Sequence, residues 1–211
     1  MRIRHGRIAL ELHELRASPG PALLLLHGLY GSSREWGEAV GQWAGPVYAL
    51  DFCGHGRSEW LVGGGYTPEL LAADADASLA QIGPAKLAGA GLGAYVAVLL
   101  SGARPDLVPA ALLLPGAGMN GGGAAPDFRR ELRVVFDAVP ATNGCDPLVS
   151  FLDYDVRPTD YAESFARSAH TLLLVEDGTP RPPWWQTVAE IGTAQPVSAD
   201  LASALRRLAE I

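Results

Sequence analysis

Along residues 1–16 apolar and polar positions alternate: Ile8, Leu10 and Leu12 against Arg7, Glu11 and His13. That period of two predicts a half-exposed strand, part of an antiparallel pair at a sheet edge. Ser18-Pro19-Gly20-Pro21 makes a turn. Ala22–Leu26 is apolar throughout, as in a parallel strand covered on both faces. The next residues are His27-Gly28-Leu29-Tyr30-Gly31-Ser32-Ser33, where Ser32 or Ser33 is placed to cap a helix running to about Trp43. Residues 47–50 form the next buried strand, which breaks into Asp51-Phe52-Cys53-Gly54-His55-Gly56-Arg57-Ser58. Thr67 caps a helix with Pro68 at its first position, and Leu70, Leu71, Leu79 and Ile82 give it an apolar stripe.

Residues 85–88 are a strand that enters the turn Gly89-Ala90-Gly91-Leu92-Gly93. Residues 94–103 read as a buried, nearly all-apolar helix, and 110–114 as another strand. The rhythm breaks over 115–168: a glycine-rich loop at 116–123, a helix over 126–139 and a polar helical piece around 159–168. Residues 171–175 return to strand. A last short strand is expected at 188–191 and a closing helix over 199–211, with Leu201, Leu205 and Leu208 on one face. Strands alternating with helices predict an α/β fold with a parallel sheet covered on both sides.

Composition narrows the function classes. The chain has 211 residues, 48% of them hydrophobic and 18% charged, which suits one globular domain. A net charge of −7 without a basic cluster argues against nucleic acid as a partner. The longest apolar runs are too short for a membrane span, and the first residues lead into no signal-type apolar region. Cys53 and Cys145 do not make a disulfide framework, so a cytoplasmic location with reduced thiols is expected. No residues have metal-ligand spacing, and no cofactor is expected.

Three motifs carry a resemblance. LLLLHGLYGSSREW, DFCGHGRS and LAGAGLGAYVAVLL occur in an order and spacing similar to the α/β-hydrolase fold. The first resembles the turn whose His-Gly segment contributes to the oxyanion hole. The second resembles the Asp-x-x-Gly-His-Gly-x-Ser loop. The third resembles the nucleophile elbow, Gly-x-Ser-x-Gly, which lifts a serine above the sheet. The resemblance covers nearly the whole chain and implies a mostly parallel sheet of about eight strands flanked by helices. It makes 1–211 a single domain and 115–168 a reduced cap or lid within it. A reduced lid implies an exposed rim, open to a small-molecule ligand or to a homodimer contact.

The triad does not carry over. The elbow has Gly91 where the nucleophile belongs, and the chain has no histidine after His170, which precedes the seventh strand. Glu176, Asp177 or Thr179 falls where the family places its carboxylate. Loss of the nucleophile or the histidine costs a serine protease on the order of 10⁶ in turnover. No catalytic residue is therefore assigned. The N-myc downstream-regulated proteins are similar at the elbow, with a glycine-type turn and no hydrolase triad. The resemblance implies a pseudo-hydrolase that binds a small carbonyl or carboxylate ligand or a protein partner. Alternatives are a cofactor-free lyase, isomerase or cyclase, or a residual hydrolase with a non-standard nucleophile.

By the same resemblance the N–H groups of Leu92 and Leu29 are the oxyanion-hole donors, and a missing serine side chain leaves room above them. The implied ligand pocket is His27, Gly28, Leu29, Tyr30, Gly91 and Leu92. His27, Tyr30 and Asp51 are candidates for new chemistry with that oxyanion hole. Cys53 reads as a buried thiol, His55 as a brace of its own loop, and Asp51 as a structural tie from that loop to the elbow. Trp184 and Trp185 either cover the pocket mouth or a partner surface, or pack on the last helix.

Overall fold

In the computed structural model the described residues are 1–37, 39–120, 144–154 and 156–211. Eight strands form one sheet in the order β1-β2-β4-β3-β5-β6-β7-β8. They are β1 (Arg2–His5), β2 (Ile8–Arg16), β3 (Ala22–Leu26), β4 (Val47–Asp51), β5 (Ala85–Ala90), β6 (Ala111–Leu114), β7 (Leu172–Glu176) and β8 (Ala194–Ser198). Strand β2 runs antiparallel to β1 and to β4, and the remaining pairs are parallel. Helices α1 (Pro68–Ile82), α2 (Leu92–Ala103), α3 (Asp160–Ala166), α4 (Pro183–Ala189) and α5 (Leu201–Ala209) flank it.

The unbroken apolar run of β3 has the expected cause. Leu24 and Leu26 face one core, with Leu71, Leu79, Tyr95 and Trp184. Leu23 and Leu25 face the other, with Trp36, Trp43, Leu205 and Leu208. A strand sandwiched in this way has no solvent face on which to place polar residues. The exception in β5 is Lys86, whose Nζ donates to the carbonyls of Leu208 and Ala209. A lysine in a central strand thereby closes the C-terminus of α5, where orphan carbonyls and the helix dipole favour a cation. Burial holds its pKa below the ordinary lysine value.

Two expected elements take another form. After Ser32 the chain makes two 3-10 turns, Ser33–Trp36 and Ala39–Gln42, instead of one helix. Gly37 and Gly41 weaken a continuous helix, while Trp43 is pinned by donating its indole N–H to Pro21 at 2.8 Å. Residues 188–191 are not a strand: Val188 lies in α4, one turn after Trp184, with both buried. Pro183 at the first helical position starts that helix, and the last strand, β8, begins only after Gly192. Pro196 sits in β8, as an edge strand permits. The helix expected over 126–139 lies outside the described residues. Among the described residues no helix is long and apolar enough to cross a membrane.

Candidate functional site

The turn between β5 and α2 is built from glycines for steric reasons. Gly91 has φ +53°, in the left-handed region. A Cβ on Gly93 would lie 2.7 Å from the His27 carbonyl oxygen, so only glycine lets α2 start this close to β3. The parallel strands from β3 onward all end on this side, which in open α/β sheets is the ligand-binding edge.

The space above Gly91 is filled from within. The N–H groups of Leu29 and Leu92 both donate to the carbonyl oxygen of Ala117, at 3.0 and 2.9 Å. A Cβ on Gly91 would collide with that same oxygen and with the Gly116 carbonyl carbon, and would lie 2.6 Å from the Ala117 nitrogen. The expected room over the elbow is thus taken by the backbone of Gly116 and Ala117. The segment is anchored beyond this point: Met119 N–H donates to Leu152 at 2.8 Å, and Asn120 N–H to Asp153 at 2.8 Å. Trp184 donates its indole N–H to the Met119 carbonyl at 2.9 Å. Two buried amides need acceptors, and Ala117 supplies one to both.

Of the six residues expected to line a pocket, Gly91 borders a cleft of about 230 Å³, shared with Asn120, Thr179, Arg181, Trp184 and Trp185. Gly28, Leu29 and Leu92 lie in the buried layer beneath. Tyr30 is 42% exposed, with a positive φ of 63°. His27 is fully buried and does not face the cleft. Its Nδ1 lies 2.7 Å from the Gly28 carbonyl, and its Nε2 accepts the Phe52 N–H at 3.2 Å. That pattern fits one neutral tautomer, and burial holds the His27 pKa below the usual value.

The other candidates are occupied as well. The His55 Nδ1 lies 3.2 Å from the Cys53 carbonyl, and the Nε2 has no hydrogen-bond partner among the described residues. Burial and the neighbouring His27 push its pKa down to about 3. Cys53 is buried against Asp74, and burial pushes the thiol well above the ordinary range, so it is no thiolate nucleophile. Asp51 ties its loop to the turn after β3 and to β2, not to the elbow. It accepts the N–H groups of Ser33 at 2.7 Å and Arg57 at 3.0 Å, and pairs with His13 Nε2 at 3.0 Å. Burial raises the Asp51 pKa, but these hydrogen bonds outweigh it and leave the carboxyl below its usual value. Trp184 stacks edge-on against Tyr95 at 5.0 Å, in the core opposite to α5. The pair does not pack on the last helix; it walls the cleft.

Among the described residues no imidazole stands at the C-terminal ends of β7 and β8. Asp177 accepts from the Thr179 N–H and hydroxyl and from Arg181, and these hold its pKa at about 2. Ser198 ends β8, and Asp200 caps α5. His170 is exposed at the opposite end of β7.

The whole chain superposes on solved structures of one architecture. It matches the thioesterase domain from the curacin biosynthetic pathway with a TM-score of 0.74 at 19% identity, covering 100% of this chain and 98% of that one. It matches the bottromycin epimerase BotH with a TM-score of 0.67 at 20% identity, covering 100% and 95%. The chain has the α/β-hydrolase fold. In sequence it is 33% identical over 142 residues to the lipase LipV of Mycobacterium tuberculosis, covering 63% of this chain and 49% of that protein. The chain thus spans about half the length of this curated relative. No family model matches the chain.

Within this hydrolase fold the Ala117 carbonyl was not foreseeable from motifs. The one available signal was the run of small residues, Gly116-Ala117-Gly118, just past β6. Arg181 was also missed. It lies 5.1 Å over the Trp185 ring and donates to the Val175 carbonyl, an arrangement of residues far apart in kind and unmarked by any spacing.

Proposed function

We propose that this chain is a pseudo-hydrolase: a hydrolase fold that binds a small ligand or a partner and performs no serine hydrolysis. The observation that carries the reading is the Ala117 carbonyl on the N–H groups of Leu29 and Leu92. In a working acyl-transfer site those donors stand about 2.7–3.1 Å from the developing oxyanion and must be open to it. Here a carbonyl of the same chain takes that place, over a residue with no side chain. What would remain of a triad enzyme without these parts is weak, since oxyanion hole and binding alone supply about 10³–10⁴ over water.

The ligand expected is one bearing a carbonyl or carboxylate. It would enter the cleft beside Gly91, Arg181 and Trp185, and would reach the two N–H groups only by displacing Ala117. His27, Gly28 and Tyr30 belong to the surrounding turn in this reading. The likeness to a lipase favours a second reading, a residual hydrolase with a nucleophile outside the elbow. One experiment separates the two. Purified protein is assayed on nitrophenyl esters and screened by thermal shift against carboxylates and ketones. Binding without turnover is expected. Saturable turnover that disappears in Cys53→Ala or His27→Ala would overturn the proposal, as would the absence of any stabilising ligand or partner.

A further inference from the structure

Away from the elbow, a cavity of about 390 Å³ opens at the β2–β4 edge. It is lined by His13 of β2, by Ser32, Ser33 and Arg34 after β3, by Asp51 at the end of β4 and by Arg57 after it. Its size falls in the range of small-molecule sites, roughly 300–1,000 Å³. Its charge is unbalanced. Asp51 is buried and its oxygens are taken by Ser33, Arg57 and His13, so its negative charge is answered inward. Arg34 and Arg57 are exposed, and neither guanidinium has an ion pair among the described residues. The Glu35 carboxylate packs against Gly31 and does not line the cavity.

The backbone under these cations is fixed. The Arg57 N–H is held by Asp51 at 3.0 Å, and Ser33 is held by the same carboxylate at 2.7 Å. Ser32 accepts from the Arg34 N–H and keeps its hydroxyl proton for another acceptor. Two guanidiniums with no ion pair among the described residues, set on a rigid loop pair around one concavity, have the chemistry of phosphate recognition, which rewards the planar fork of arginine.

We propose that this cavity binds a small phosphomonoester, its phosphate held by Arg34 and Arg57 with the Ser32 hydroxyl donating. The cavity is larger than a bare anion requires, and its excess volume takes the organic group. The site shares no side chain with the elbow cleft, so it stands whatever the elbow does.

The test is titration calorimetry with inorganic phosphate and with phenyl phosphate, at ionic strength matched by sodium chloride, on the wild type, Arg34→Gln and Arg57→Gln. Thermal melts confirm that the variants are folded. Saturable binding is expected for both anions, tighter for phenyl phosphate. Each substitution should weaken it about 10-fold or more, the scale of one charge-assisted hydrogen bond. Absence of saturable binding at millimolar concentration overturns the proposal. So does binding by Arg34→Gln or Arg57→Gln that is as tight as that of the wild type. Binding of inorganic phosphate without any gain from the phenyl group overturns the phosphomonoester.

Discussion

The loop after β3 touches two environments five residues apart. At Leu29 its backbone N–H is used up by the Ala117 carbonyl, in a buried layer with little free space. At Arg34 a charged side chain borders an open cavity and has no ion pair among the described residues. The difference follows from what each environment tolerates. A buried amide without an acceptor costs about 1–3 kcal/mol, so the fold supplies one. A guanidinium in water carries no such penalty and can stay uncommitted. The N–H groups of Leu29 and Leu92 are spent on the fold, while the exposed Arg34 and Arg57 border a cavity beside β2 and β4.

The strongest way to break this comparison is Gly91→Ser. The new side chain must push the Gly116–Ala117 backbone aside and adopt a strained positive φ. A loss of about 3 kcal/mol or more is expected in urea unfolding, with no gain of ester hydrolysis. A wild-type midpoint would mean that the elbow is not packed against that segment.

Acid is the next lever. His27 and His55 are buried neutral, with folded pKa values below the ordinary one. The unfolded chain takes up those protons below about pH 6.5, so this contribution is complete above that pH and is lost as the pH falls toward His55's folded value of about 3. Denaturation midpoints should therefore fall between roughly pH 6.5 and 4. His55→Gln should flatten the slope by up to about 1.4 kcal/mol per pH unit. A pH-independent midpoint over that window would remove the buried histidines from the account.

Trp184→Phe tests the anchor of the Ala117 segment. It keeps most of the packing but leaves the Met119 carbonyl without its indole donor, at an expected cost of about 1–3 kcal/mol. Hydrogen exchange at Leu29 and Leu92 should accelerate in the same variant. Arg34→Gln should do least to stability, within about 0.5 kcal/mol, while weakening phosphate binding. A large stability loss there would mean that the guanidinium is structural after all.

Much of the architecture was legible because it rests on local rules. The alternation of Ile8, Leu10 and Leu12 marked the edge pair, and Thr67-Pro68 marked the start of α1. The glycine at position 91, in the centre of the elbow, needed no structure at all. Legibility failed where a short element draws its stability from neighbours. Strand β8, with Pro196 in it, exists because β7 offers it an edge, and Val188 is helical because Trp184 and Val188 share one buried face. At the site the expectation of an open pocket failed for the same reason. Motifs place the donors Leu29 and Leu92, but nothing local says what will sit on them.

The sequence by itself determined the α/β alternation, most of the strands and the glycine at the centre of the elbow, because these depend on residue type and spacing along the chain. Only the tertiary structure decided that Ala117 covers the oxyanion donors, that Lys86 closes α5 across more than a hundred residues, and that Arg34 and Arg57 border one cavity. Those depend on distances between segments remote in sequence. Burial then determines which polar groups must be paired, and which are left for a ligand.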